Sequence, residues 1–202
     1  MTSRKSSPAL DADSLYEVAI RALGRRARSS AEVRALLAKR QAGKADIEAV
    51  IHRLKENGYL DDARFARAFV ASRIENRLEG KVRVRRELAA RRVKPELADE
   101  AVRGAYEGVD ESQLLRQYLK RKLRLNNPLD PSTALGAGKP SAVQSLFRRL
   151  LRAGFRSDTI VGELKRLRGG PLSKAGAAND PVRWDEVLDS LPETPDSESE
   201  SG

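Results

Sequence analysis

Gly58-Tyr59-Leu60-Asp61-Asp62-Ala63-Arg64-Phe65-Ala66 is the stretch on which the reading of this chain turns. Ahead of it, Ile47, Val50, Ile51 and Leu54 recur at the spacing of one buried helix face, and the stripe stops at Asn57-Gly58, a pair suited to a left-handed helix end. Behind it, Phe65, Phe69 and Val70 begin a second stripe, predicting a long helix that reaches about Leu78. The segment therefore reads as a junction between helices. At such a junction an aspartate accepts from the orphan N–H groups of a helix start and favours its positive dipole end. That capping reading of Asp61-Asp62 outweighs a metal or acid–base reading of the paired carboxylates.

Working outward, the apolar spacing repeats. Laying residues 30–54 over 81–105 at an offset of 51 pairs Leu37 with Leu88, Arg40 with Arg91, Val50 with Ala101, Ile51 with Val102 and Leu54 with Ala105. A further offset of 62 pairs Leu88 with Leu150, Val93 with Phe155 and Val102 with Leu164. Each copy reads as three short helices. The first uses Leu15, Val18, Ala19, Ala22 and Leu23, then a helix capped by Ser29 or Ser30 with Val33, Leu36 and Leu37, then the Ile47 stripe beyond Gly43. The second continues past Gly80 with Val84 and Leu88, then a helix opened by Pro95 with Leu97, Ala101 and Val102. The third carries Leu114, Leu115, Tyr118 and Leu119, an interruption rich in Pro, Gly and Ser, then Val143, Leu146, Phe147, Leu150 and Leu151, and finally Ile160, Leu164 and Leu167.

The expected fold class is all-α: tandem three-helix repeats in an elongated, curved array, because one triplet of short helices buries little surface alone. The expected organisation is a disordered N-terminal tail at 1–13, repeats at 14–60, 61–109 and 110–170 with a loop at 126–140, and an acidic, disordered tail at 171–202.

Composition points to the class of partner. The chain has 39 Lys and Arg against 29 Asp and Glu, and a pI near 10.1. Residues 171–202 hold two bases and eight acids, leaving 37 bases and 21 acids, a surplus of 16, on the remainder. Such a surplus makes nucleic acid or a nucleoprotein the leading partner. Aromatics at 4% argue against rows of base-stacking rings. The absence of cysteine excludes disulfides and thiolate metal sites and fits a cytoplasmic protein, and no stretch approaches a membrane span.

The Gly58 to Ala66 segment resembles the most recognisable motif of the RecX regulatory family, with Gly58, Tyr59, Leu60, Asp61, Asp62, Phe65 and Ala66 as its structural residues. Upstream, Ala22-Leu23 through Arg26, Ser29 to Glu32 and Leu36-Leu37 are similar to the family's opening repeat. Arg73, Gly80, Arg83-Val84, Glu87-Leu88 and Val93 are similar to its second, and Leu150-Leu151-Arg152-Ala153-Gly154-Phe155 to its late glycine-aromatic turn. The likeness covers roughly Leu15 to Arg168. It departs where many members have a glycine after a basic pair: here the turns read Arg91-Arg92-Val93 and Gln41-Ala42-Gly43. The resemblance implies a protein without catalysis or cofactor that binds along the groove of the RecA filament and restrains its ATPase, strand-exchange and coprotease activities, with weak affinity for single- and double-stranded DNA. A monomer is expected. The alternative is a sequence-tolerant architectural DNA-binding protein that acts without RecA.

The candidate contact residues are the basic runs: Arg25, Arg26 and Arg28; Lys81, Arg83, Arg85 and Arg86; Arg91 and Arg92; Lys120, Arg121 and Lys122; Arg148, Arg149 and Arg152. One run is ordinarily a solvated helix face, but recurrence beside the second helix of each repeat would set them along one edge. His52 lacks a Cys or second His with which to build a metal or nucleophile site, and Gly136-Ala137-Gly138-Lys139-Pro140 lacks the spacing and hydroxyl of a phosphate loop. In the acidic tail, Trp184, Val187, Leu188 and Leu191 fall at helical spacing, which suits an amphipathic helix formed on a partner or on the chain's own basic body; a solubilising tail is the simpler reading.

Overall fold

The computed structural model describes residues 11–122 and 140–168. The sequence readings for residues 1–10, for 126–139 and for the tail at 171–202 with Trp184 lie outside these residues, as does the side chain of Lys122. Among the described residues all regular structure is helical: α1 (Ala12–Arg25), α2 (Ser30–Ala38), α3 (Lys44–Glu56), α4 (Asp62–Ser72), α5 (Lys81–Ala90), α6 (Pro95–Tyr106), α7 (Glu111–Lys122), α8 (Pro140–Arg152) and α9 (Ser157–Arg168). A π-helical turn, Arg73–Arg77, follows α4. The single long helix expected from Asp62 to about Leu78 is thus α4 plus this wider turn, and buried Leu78 closes it with φ +56°. The chain is an all-α protein of tandem three-helix domains.

The residues divide into two compact units, one up to Ser72 with Arg85–Ala105, the other Arg73–Val84 with the residues from Tyr106 onward. The first has a core of Leu15, Ala19, Val33, Leu37, Ile47, Val50, Ile51, Leu54 and Leu60. Its helix ends are set by local chemistry. The Asp11 carboxylate accepts from Ser14 N at 2.9 Å to start α1. Ser29 Oγ accepts from Glu32 N while Glu32 Oε2 accepts from Ser29 N, both at 3.1 Å, a capping box at the head of α2. Gly58, at φ +70°, ends α3 in the left-handed region, and the following N–H groups of Tyr59 and Leu60 both return to Leu54 O.

The second unit buries Leu78, Leu114, Leu115, Leu119, Val143, Leu146, Phe147, Leu150, Ala153, Phe155, Ile160 and Leu164. Phe155 meets Tyr118 edge-on at 5.5 Å between centroids.

Positions equated by the sequence offsets behave alike. Leu37, Leu88 and Leu150 are all fully buried, and Val102 and Leu164 are both buried. Gln41, Arg92 and Gly154 are related by the same 51 and 62 residues, and all three take positive φ, at +58°, +54° and +92°. The glycine of the third turn is therefore replaced in the first two by a residue that still adopts the left-handed conformation.

Candidate functional site

The motif between α3 and α4 places two carboxylates on main-chain donors. Asp61 Oδ1 accepts from Arg64 N at 2.9 Å, capping α4, and this bond holds its pKa below the usual aspartate value. Asp62 Oδ1 accepts from Ser30 N at 2.7 Å, so it caps α2 rather than its own helix. Both carboxylates are engaged in holding helix starts. Tyr59 of the same motif is 55% exposed, whereas Leu60, Phe65 and Ala66 are buried.

The basic runs separate into structural and outward-facing members. In the first unit Arg26 and Arg91 converge on Glu32 Oε1, at 3.2 and 2.9 Å, and the Arg91 guanidinium lies 4.9 Å over the Phe69 ring. Arg28 is half-buried and donates to Ala22 O at 3.4 Å. Arg85 stands 3.9 Å from Asp99. Arg25, Arg86 and Arg92 are exposed. The fold thus brings Arg26 and Arg91 together through a shared acid, which holds both guanidinium groups inside the protein's own network.

In the second unit Arg83 reaches Glu79 Oε1 at 3.3 Å and donates to Arg152 O at 3.3 Å. Lys81 is half-buried near Glu111, whose carboxyl is pushed above the usual range by burial. Lys120 and Arg121 on α7, and Arg148, Arg149 and Arg152 on α8, are exposed.

Sequence reasoning missed two buried acids. Glu79 sits between the guanidinium groups of Arg73 and Arg83, at 3.5 and 3.3 Å, and Tyr106 Oη donates to its carbonyl at 2.6 Å. Glu163 takes Arg116 at 2.7 Å and Arg166 at 3.0 Å. Buried carboxylates require such partners. The signal for Glu163 was available: it falls on the Ile160-Leu164 stripe, where an acid facing the core must be paired. His52 is exposed, with Nδ1 3.1 Å from Glu56. Among the described residues no group of three or more His, Asp or Glu is placed to hold a metal ion, and no helix is long and apolar enough to cross a membrane.

The arrangement defines a class: an all-helical protein of tandem three-helix domains that presents arginine-rich helix surfaces to solvent. Comparison with known proteins gives that class a family. The model of the first three-helix domain of RecX matches residues 16–54, and that of the second three-helix domain matches residues 61–102. The regulatory protein RecX of Halorhodospira halophila is 33% identical over 148 residues, covering 73% of this chain and 84% of the relative. That of Mycolicibacterium vanbaalenii is 34% identical over 156 residues, covering 74% and 82%. The crystal structure of RecX from Lactobacillus salivarius shares the fold, with TM-score 0.59 and 18% identity over 78% of this chain and 96% of that one. The chain belongs to the RecX family of regulatory proteins.

Proposed function

We propose that this protein binds along the groove of the RecA nucleoprotein filament as a monomer in the cytoplasm. There it restrains the filament's ATPase, strand-exchange and coprotease activities in recombination and DNA repair without catalysing a reaction. Family membership supports the regulatory role, and the observation that carries the contact chemistry is the exposed arginine surface of α8, with Arg148, Arg149 and Arg152 on one helix. Guanidinium groups suit phosphates and carboxylates alike, because their planar donors pair with either in bidentate fashion. Lys120 and Arg121, with Arg25, Arg86 and Arg92, are the further outward cations assigned to the filament or to DNA, whereas Arg26, Arg28, Arg83 and Arg91 contribute by holding helices in place.

The test is the single-stranded-DNA-dependent ATPase rate of the cognate RecA as the protein is titrated in, with excess DNA present to detect sequestration. Suppression at substoichiometric ratios that survives excess DNA supports direct action on the filament. Loss of the effect on adding DNA assigns the protein to architectural DNA binding instead.

A further inference from the structure

Helix α8 is divided sharply between core and solvent. Val143, Leu146, Phe147 and Leu150 are buried, while Ser141, Ser145, Arg148, Arg149 and Arg152 are exposed. Four other arginines of the same unit are matched by acids: Arg116 and Arg166 close on Glu163, Arg83 on Glu79 and Arg156 on Asp158. Arg148, Arg149 and Arg152 make no ion pair with another described residue. Three uncompensated cations within five positions repel one another and set up a strong local positive potential.

The same unit continues into the acidic part of the chain. Helix α9 ends at Arg168, and 34 residues follow. Within them, residues 171–202 carry two bases and eight acids, and Trp184, Val187, Leu188 and Leu191 recur at helical spacing among Asp185, Glu186 and Asp189. A chain of that length spans about 110 Å when extended, so reach does not limit where it sits. Tethering also supplies an effective concentration on the order of millimolar, enough to populate a contact too weak to form between separate molecules.

We propose that residues 171–202 dock in cis on the Arg148-Arg149-Arg152 surface, as a tethered polyanion that occupies the place of nucleic-acid phosphates. The docking stands on charge complementarity; its regulatory consequence rests on the reading of α8 as a contact surface. The tail then sets a threshold: a strand with enough phosphates displaces it, while short or isolated anions do not. Being electrostatic between exposed groups, the contact weakens with salt.

Trp184, the chain's single tryptophan, reports on the tail in the intact protein. Its emission and anisotropy should differ between low and high salt, and a thymidine oligonucleotide added at low salt should move them toward the high-salt values. In R148E/R149E/R152E the high-salt signal should appear at every salt concentration. In D185N/E186Q/D189N, whose changes lie outside the described residues, oligonucleotide affinity should rise about fivefold at low salt and match the parent at high salt. A Trp184 signal indifferent to the arginine reversal overturns the proposal. So does one that depends on protein concentration, which would place the tail on a second copy. RecA ATPase measured on the same proteins keeps the two readings apart: docking with no effect on RecA removes the filament reading alone.

Discussion

The N-termini of α2 and α5 lie 51 residues apart in equivalent positions, and each docks on a left-handed turn one repeat further along, α2 on the turn that ends α5 and α5 on the turn that ends α8. In the first unit Ser29 Oγ donates to Arg91 O at 2.7 Å, just before Arg92. In the second, Gly80 N donates to Ala153 O at 2.9 Å, just before Gly154, and Val82 N reaches Gly154 O at 3.3 Å. One clasp is made by a side chain and the other by backbone on backbone. A Cβ at Gly80 would stand 2.1 Å from Gly154 O, and one at Gly154 2.5 Å from Arg83 N. The same contact is therefore solved twice, with a hydroxyl where there is room and with glycine where there is none. The hydroxyl solution spreads its energy over a capping box and the Glu32 ion pairs; the glycine solution concentrates it in a steric fit.

That difference predicts unequal tolerance. Gly80→Ala should be the most damaging change, lowering unfolding free energy by about 3 kcal/mol or more, because main chain must move to admit the methyl group. Gly80→Ser, which copies the residue at the equivalent position, should fare no better in chemical denaturation; recovery by serine would show that the two clasps are interchangeable. Ser29→Ala removes both the cap on Glu32 N and the donor to Arg91 O, and should cost about 2 kcal/mol in the same measurement. The smallest effect has the opposite sign. Exposed Gln41 holds φ +58° at the third equivalent turn, so Gln41→Gly should stabilise by about 0.5 kcal/mol, read as a rise in melting temperature.

The sequence made the helices legible because each buries one stripe, and the offsets of 51 and 62 aligned Leu37, Leu88 and Leu150 before any coordinates. The turns at Gln41 and Arg92 were readable, but not their left-handed backbone, because neither residue announces positive φ as Gly154 does. The cap chemistry of Asp61-Asp62 was readable, but not that Asp62 serves α2, since that depends on which helix end tertiary packing brings to it. Composition revealed the surplus of cations without distinguishing their tasks. Arg91 and Arg149 look alike in a basic run, yet Arg91 is bound to Glu32 and stacked on Phe69, whereas Arg149 faces solvent. Those partners lie 59 and 22 residues away in the chain, beyond the reach of local pattern.

The most direct test of the account is equilibrium binding of the intact protein to preassembled RecA filament and to the same single-stranded DNA without RecA, both at physiological salt. The account predicts clearly tighter binding to the filament, weakened in R148E/R149E/R152E. Equal affinity for filament and naked strand would contradict it.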